Sequence, residues 1–415
     1  MSARPTAAAV VFLAFAFAYF LSAMLRAVTA TLAPVFSSEL GLQASDLGLL
    51  AGAYFFGFAA LQLPLGWALD RFGPRRTLIV LMSLAVIGCA GFALAPNLPT
   101  LVLARAITGA GLAAALMAPL TCYRRILSPT MQMRANSWML MTGSLGMLAS
   151  TLPVQWLLPQ LGWRGLFWAV AALLLLAMAG VAWLVPRDVL SDANTDSTAG
   201  AGLTDQGSGR YVEIARHPLF RRLAPLAFVV YGGLIAVQSL WAGPWLTQVA
   251  GWSAQQAAQG LFGINLAMLL AFLCWGAVMP KLARWGVAVH QLITWGVLLA
   301  LLLLATIVWL GAAASAWHWA AWCVACTFMS LSQPAVGSAF PAAQAGRALS
   351  AFNLVIFAGV FCVQWGLGLL IDTLRALGAA EGDAFRLAFS ALLVLSACAY
   401  GWFLRGGRQA ADNQA

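Results

Sequence analysis

The stretch Gly66-Trp67-Ala68-Leu69-Asp70-Arg71-Phe72-Gly73-Pro74-Arg75-Arg76 decides how the rest of this chain is read. It is short, charged and rich in turn formers, with a long apolar run on either side. Such residues cannot cross lipid. The stretch therefore reads as a tight hairpin between two membrane helices, with its arginines held on the cytoplasmic side.

The composition extends that reading to the whole chain. Its 415 residues are 62% hydrophobic and only 8% charged. A soluble domain carries about 25% charged residues, so most of this surface must face lipid. About twelve apolar segments have the roughly 20-residue length that spans a hydrocarbon core. They fall near 10–34, 47–69, 76–95, 99–122, 136–158, 164–185, 223–246, 257–281, 288–311, 317–340, 347–371 and 385–404. Backbone polar groups in lipid must be bonded internally, so the predicted fold class is an all-α membrane protein with 12 transmembrane helices.

A formal charge of +10 would suit a nucleic-acid binder, but its distribution does not. All Lys and Arg except Arg26, Arg105, Arg164, Arg375 and Arg386 fall in the N-terminus, the even-numbered connections or the C-terminus. That asymmetry is the positive-inside pattern, and it predicts both termini in the cytoplasm. The seven cysteines lie within or at the ends of apolar segments. Cys323-x-x-Cys326 lacks a second pair, so these read as small packing residues and no metal is expected. The first apolar run leads directly into helix 1, with no cleavable signal evident. His217 falls in a connection and His290 and His318 near helix starts, positions that read as incidental.

Residues 187–221 break the apolar pattern with Ser, Thr, Asp, Gly and Ala, and lead through Arg216 and Arg221 into Arg222 as a basic segment. This is a flexible cytoplasmic linker in composition, and its basic end suits anionic headgroups. It divides the chain into an N-terminal six-helix bundle (1–186), a C-terminal one (222–405) and a short tail (406–415). The halves resemble each other. Arg134-Ala135-x-Ser137 returns as Arg347-Ala348-x-Ser350, Val154-Gln155-Trp156 as Val363-Gln364-Trp365, and Tyr19 and Arg26 map onto Tyr231 and Gln238. The near-constant offset predicts two pseudo-symmetric repeats with a substrate between them at the midplane.

With the loop, the helix count and the duplication in place, the chain resembles the major facilitator superfamily of secondary transporters. Its helix 2–3 loop has the order Gly66, Asp70-Arg71-x-Gly73-x-Arg75-Arg76. Arg105-x-x-x-Gly109-x-Gly111 is similar to the superfamily's basic helix-4 motif. Gly143-x-x-Gly146 ahead of Pro153 is loosely similar to an antiporter pattern. Gly276, Lys281, Arg284 and Gly286 form a degenerate second copy of the loop, without its aspartate. The resemblance implies that Asp70 contacts the start of helix 11 around Arg347 as part of a gate, together with Gly66, Arg71, Gly73, Arg75 and Arg76. A carboxylate is favoured at a helix N-terminus, and the glycines would allow close approach. For Arg105 the resemblance leaves a structural role and one in ion coupling equally open.

Arg26 is the leading candidate for substrate contact. A fixed charge this deep costs at least a few kcal/mol (~2.5–3.5 on insertion scales). Tyr19, Ser22, Arg26 and Thr29 share one face of helix 1, which should therefore line water. From Arg26 to Glu39-Leu40-Gly41-Leu42, helix 1 resembles the anion:cation symporter and organophosphate permease branches, where the arginine grips a carboxylate or phosphate. Carried onto Arg26, this implies an anion held by a bidentate fork. Two departures refine it. Gln238 stands where the organophosphate branch has a second arginine, which favours a weakly charged anion. Leu25 stands where the symporters carry an aspartate, so exchange, facilitated diffusion and symport with the proton on the substrate all stay open.

Tyr54 in helix 2, Tyr231, Gln238 and Trp241 in helix 7, Asn265 in helix 8, Gln333 in helix 10, and Asn353 and Gln364 in helix 11 complete the candidate lining. Intramembrane amides also serve as interhelical glue. An efflux carrier for lipophilic compounds is the alternative, resting on the 18 Trp and on an apolar helix-7 face that includes Trp245. A soft-metal importer is a lesser one, resting on Met131, Met133, Met139, Met141 and Met147. No acids, His or Ser converge at catalytic spacing, so no enzyme is expected. The expected partners are a small anionic solute and membrane lipid, with no cofactor and no nucleic acid. The chain is expected to act as a monomer in a bacterial cytoplasmic (inner) membrane.

Overall fold

The computed structural model describes residues 5–185 and 207–412, and they are built from helices and turns. Helix α1 (Pro5–Leu40) is followed by α2 (Ala44–Ala60), α3 (Gln62–Leu94), α4 (Leu98–Gly111), α5 (Met117–Ile126), α6 (Pro129–Ala149) and α7 (Leu152–Leu184). After residues 187–206 of the expected linker, which lie outside the described residues, come α8 (Gly207–Arg216) and α9 (Pro218–Val249). Then follow α10 (Ala254–Arg284), α11 (Val289–Leu310), α12 (316–338), α13 (Ala342–Ala376) and α14 (Glu381–Asp412).

Helices stand at all twelve expected positions, though several differ in form. Among the described residues, eight are long and apolar enough to span a bilayer, and a ninth span is the pair Ala44–Ala60 and Gln62–Leu69, bent by 42°. The fourth expected span divides into α4 and α5. The fifth is interrupted at Ser150-Thr151, just ahead of Pro153, which removes a backbone donor. Its tail forms the start of α7, whose backbone leaves helical geometry at Gly162. The hydroxyls of Ser150 and Thr151 there donate to the carbonyls of Met147 and Leu148 (2.7 and 2.6 Å). The expected 66–76 hairpin shrinks to one non-helical residue inside α3, Gly73 at φ 76°, ψ 164°. That region of backbone space is essentially open to glycine alone. The end of the expected linker, 207–216, is helical.

Positive-φ glycines repeat across the halves. Gly41 and Gly251, Gly73 and Gly286, and Gly162 and Gly378 lie 210, 213 and 216 positions apart, close to the offset of the sequence repeats.

By internal contacts the chain forms two compact units. One comprises Met1–Arg26 with Ala53–Ser208, the other Ala27–Gly52 with Gly209–Ala415. In the first, small residues let backbones touch. A Cβ on Gly109 would lie 1.9 Å from the carbonyl oxygen of Tyr54, and one on Gly111 would lie 2.2 Å from the backbone nitrogen of Ala85. The helix-4 glycines therefore set how closely α4 packs on α2 and α3. In the second unit, Trp241, Trp245 and Trp319 are fully buried and meet Phe385 and Phe389 edge to face. Large apolar side chains also cover the outside, Trp183, Trp309 and Trp317 among the most exposed, as expected of a surface solvated by lipid.

Candidate binding site

Arg26 sits two-thirds of the way along α1, half-buried. Its guanidinium lies 5.7 Å from the centre of the Phe58 ring. Its charge also acts on the nearby Tyr19. Its Nε is buried and makes no hydrogen bond. Among the described residues the ion pairs are Arg375–Glu381 (3.9 Å) and Arg386–Asp383 (3.5 Å), so no acid neutralises Arg26 there. A cation face-on to an aromatic ring is stabilised by about 0.5–2 kcal/mol, which falls short of replacing water around a buried charge.

The residues around it are fixed from three directions. The hydroxyl of Tyr54, fully buried in α2, donates to the carbonyl of Ser22 (3.3 Å) and lies 3.5 Å from the Ser22 hydroxyl. Phe58, one turn further along α2, stacks on Tyr54. From α4, Arg105 donates from Nη1 to the carbonyl of Leu25 (3.1 Å), the residue before Arg26, with its guanidinium 5.3 Å from the Tyr54 ring centre. From α6, Gly143 gives the Tyr19 ring its place, since a Cβ there would lie 2.5 Å from it. Gly146 brings the same helix onto the backbone of Phe20. The structure thus gathers Tyr19, Ser22, Arg26, Tyr54 and Arg105 in one unit. It adds Phe58, which its spacing of four from Tyr54 could have flagged.

Thr29 is buried and belongs to the other unit. There the candidate amides are largely engaged with one another. Gln238 donates to Asn265 (2.9 Å), Asn265 to the carbonyl of Leu261 (2.9 Å), Gln333 to Asn353 (2.7 Å) and Gln364 to the hydroxyl of Ser239 (2.8 Å). Apart from the Asn265–Leu261 bond, which lies within α10, these are interhelical bonds of the kind that hold membrane bundles together. Tyr231 is half-buried. Gln238, Trp241 and Trp245 are spaced by three and four, yet the tryptophans pack toward α14 while Gln238 faces α10. The cause lies in α9, which contains π-helical turns at Ala227–Tyr231, Val237–Trp241 and Trp245–Val249. A wider turn rotates side chains off the α-helical spacing of three and four.

In the 66–76 stretch, the Asp70 side chain lies outside the described residues. Arg71 is exposed and lies over the rings of Trp67 and Phe72 (5.3 and 5.7 Å). Arg75 donates to the carbonyl of Ala182 in α7, while Arg76 is exposed and Arg347 half-buried. Gly66 has open space where a Cβ would be. The methionines diverge: Met139 is fully buried under the Tyr123 hydroxyl, while Met131 and Met141 are exposed. The Met133 side chain lies outside the described residues.

With this geometry in hand, comparisons with known proteins place the chain. The family model of the Major Facilitator Superfamily matches residues 15–363. A probable sulfoacetate transporter of Cupriavidus necator is 34% identical over 93 residues, 22% of either chain. A 4-hydroxybenzoate transporter of Acinetobacter baylyi is 33% identical over 155 residues, 35% of this chain and 33% of the relative. The chain thus spans between about a fifth and a third of the length of these relatives. Among solved structures, a bacterial homologue of the human lysosomal transporter Spinster superposes with a TM-score of 0.78 at 18% identity, covering 98% of both chains. The nucleoside transporter NupG gives 0.74 at 13% identity over 95% of this chain and 98% of the other. Both share the fold.

Proposed function

The chain belongs to the Major Facilitator Superfamily, and from that premise we propose that it carries a small organic anion, a carboxylate, by alternating access. It is a membrane transporter rather than an enzyme. The observation that carries the anion reading is Arg26, whose buried Nε has no hydrogen-bond partner and whose charge meets an aromatic ring and a tyrosine instead of an acid. A permanently charged, planar fork in that state is suited to a carboxylate, which would supply the missing acceptors and the missing charge together. One such fork favours a monoanion. The solutes named for the two relatives, sulfoacetate and 4-hydroxybenzoate, both carry a carboxylate and support that class, and the second is a monoanion. Trp241 and Trp245 are buried in a packed aromatic cluster, which favours the anion reading over lipophilic efflux.

In this reading Arg26 binds, Tyr19 and Tyr54 orient, and Phe58 holds the guanidinium flat when no solute is present. Arg105 pins the turn before Arg26 through the Leu25 carbonyl. The bacterial inner membrane, cytoplasmic termini and action as a monomer complete the proposal. Its test is uptake together with thermal shift. A carboxylate at about 100 times its Kd should stabilise the purified protein by about 2.7 kcal/mol. Arg26→Ala should lose both the shift and uptake, and Arg26→Lys should keep weak activity at most because an ammonium cannot form the fork. Normal uptake by Arg26→Ala would overturn the anion reading.

A further inference from the structure

Asp372 lies in the last turns of α13, and its carboxylate leaves its own helix to reach the start of α2. One oxygen accepts from the backbone N–H of Ala44 (3.2 Å), the other from that of Ser45 (2.7 Å). These are the first two residues of α2, whose leading N–H groups have no acceptor within their own helix. A carboxylate there gains two charge-assisted bonds and sits at the positive end of the helix dipole.

The surrounding backbone is built to allow this. A Cβ on Gly368, one turn before Asp372, would lie 2.4 Å from the carbonyl oxygen of Ala44. A Cβ on Gly48, one turn into α2, would lie 2.4 Å from the carbonyl oxygen of Gln364. The two helices thus touch backbone to backbone over the two turns next to the clip, and Gln364 is itself tied to Ser239 of α9. The neighbouring end of α1 is held similarly, with Gly243 of α9 against the carbonyl of Ala30. Residues 27–52 therefore pack with 209–415 although the chain joins them directly to the first unit.

We propose that Asp372 is a gating residue of the transport step: a carboxylate latch that holds the α1–α2 end against α13 and must release when that end opens. The latch lies at the opposite end of the α2–α3 hairpin's first arm from the 66–76 loop, and it inverts the arrangement expected there. The acid comes from the helix-11 segment and the N-terminus from helix 2. This role rests on alternating access in the family, and it does not depend on Arg26 or on which solute is carried.

The experiment needs no solute. Spin labels at Gln43→Cys and Ala376→Cys, in a chain stripped of its native cysteines, report the separation of the two ends in lipid nanodiscs. A short-distance population should dominate with Asp372 present. Asp372→Asn keeps the shape and one acceptor but loses the charge, and should move the short-to-long ratio about tenfold, the size expected for a charge-assisted bond. Asp372→Leu should move it further, and Asp372→Glu should restore most of the short population. If the Leu variant does not fold, the isosteric Asn variant carries the test. Distributions for Asn and Glu that both match the parent would overturn the latch, whatever Arg26 variants do to uptake.

Discussion

At the scale of single residues, the central question is how a guanidinium persists inside an apolar helix. Arg26 does so by lying against Phe58 and Tyr19, while Arg105 anchors the preceding carbonyl. The position of Tyr19 depends in turn on a missing side chain, that of Gly143. Gly143→Ala should push the ring and cost about 1–3 kcal/mol by overpacking. It should lower the melting temperature and raise the half-saturation concentration for uptake. Combined with Tyr19→Ala, the two losses should sum to less than their separate values, because the clash disappears with the ring. Full additivity in a double-mutant cycle would show that the glycine acts elsewhere. The grouping of Tyr19, Ser22 and Arg26 was legible from their spacing on helix 1, whereas Tyr54 was named only as a polar residue of helix 2. The engagement of Gln238 with Asn265, and of Gln333 with Asn353, was not, since nothing in a linear pattern says which amides on different helices will meet.

At the scale of elements, apolar length located the helices well and their interruptions poorly. The 66–76 stretch reads as a tight hairpin from its charges and its Gly-Pro pair, and two helices do meet there, in a break confined to Gly73. The hydroxyl of Thr77 donates across that break to the carbonyl of Ala68 (3.0 Å), replacing part of the lost ladder. Gly73→Ala forces a Cβ into backbone space that only glycine tolerates, and should cost about 1–3 kcal/mol. Thermal unfolding in detergent measures this, and an unchanged midpoint would mean that the turn can relax to another geometry. Gly286 has the same sign of φ at the corresponding position, so Gly286→Ala should behave alike. The π turns of α9 were invisible for a different reason. A side-chain pattern read at 3.6 residues per turn assumes the periodicity that those turns change.

At the scale of the whole molecule, charge distribution and apolar surface predict orientation. Arginines crowd the termini and the even connections, whereas Arg164, Arg375 and Arg386 occupy the other side. An alkaline phosphatase reporter inserted in the 311–315 turn should therefore be active, and one fused after Arg405 inactive. The reverse pattern would invert the proposed topology. The exposed Trp side chains near helix ends, Trp183, Trp285, Trp309 and Trp317, fit interfacial anchoring in that frame.

Hydropathy, loop charge and the duplicated motifs pointed from the sequence alone to a twelve-helix membrane protein of two repeats, and the resemblance of its loop motifs implied the facilitator family. These signals are local sums over twenty-residue windows, or repeats at a fixed offset, and need no knowledge of neighbours. Which polar groups stay unsatisfied, which amides pair off, and that Asp372 clips the start of α2 across 328 positions were decided only in three dimensions. Each depends on helices far apart in the chain meeting at one height and one rotation, and glycine contacts and π turns set both.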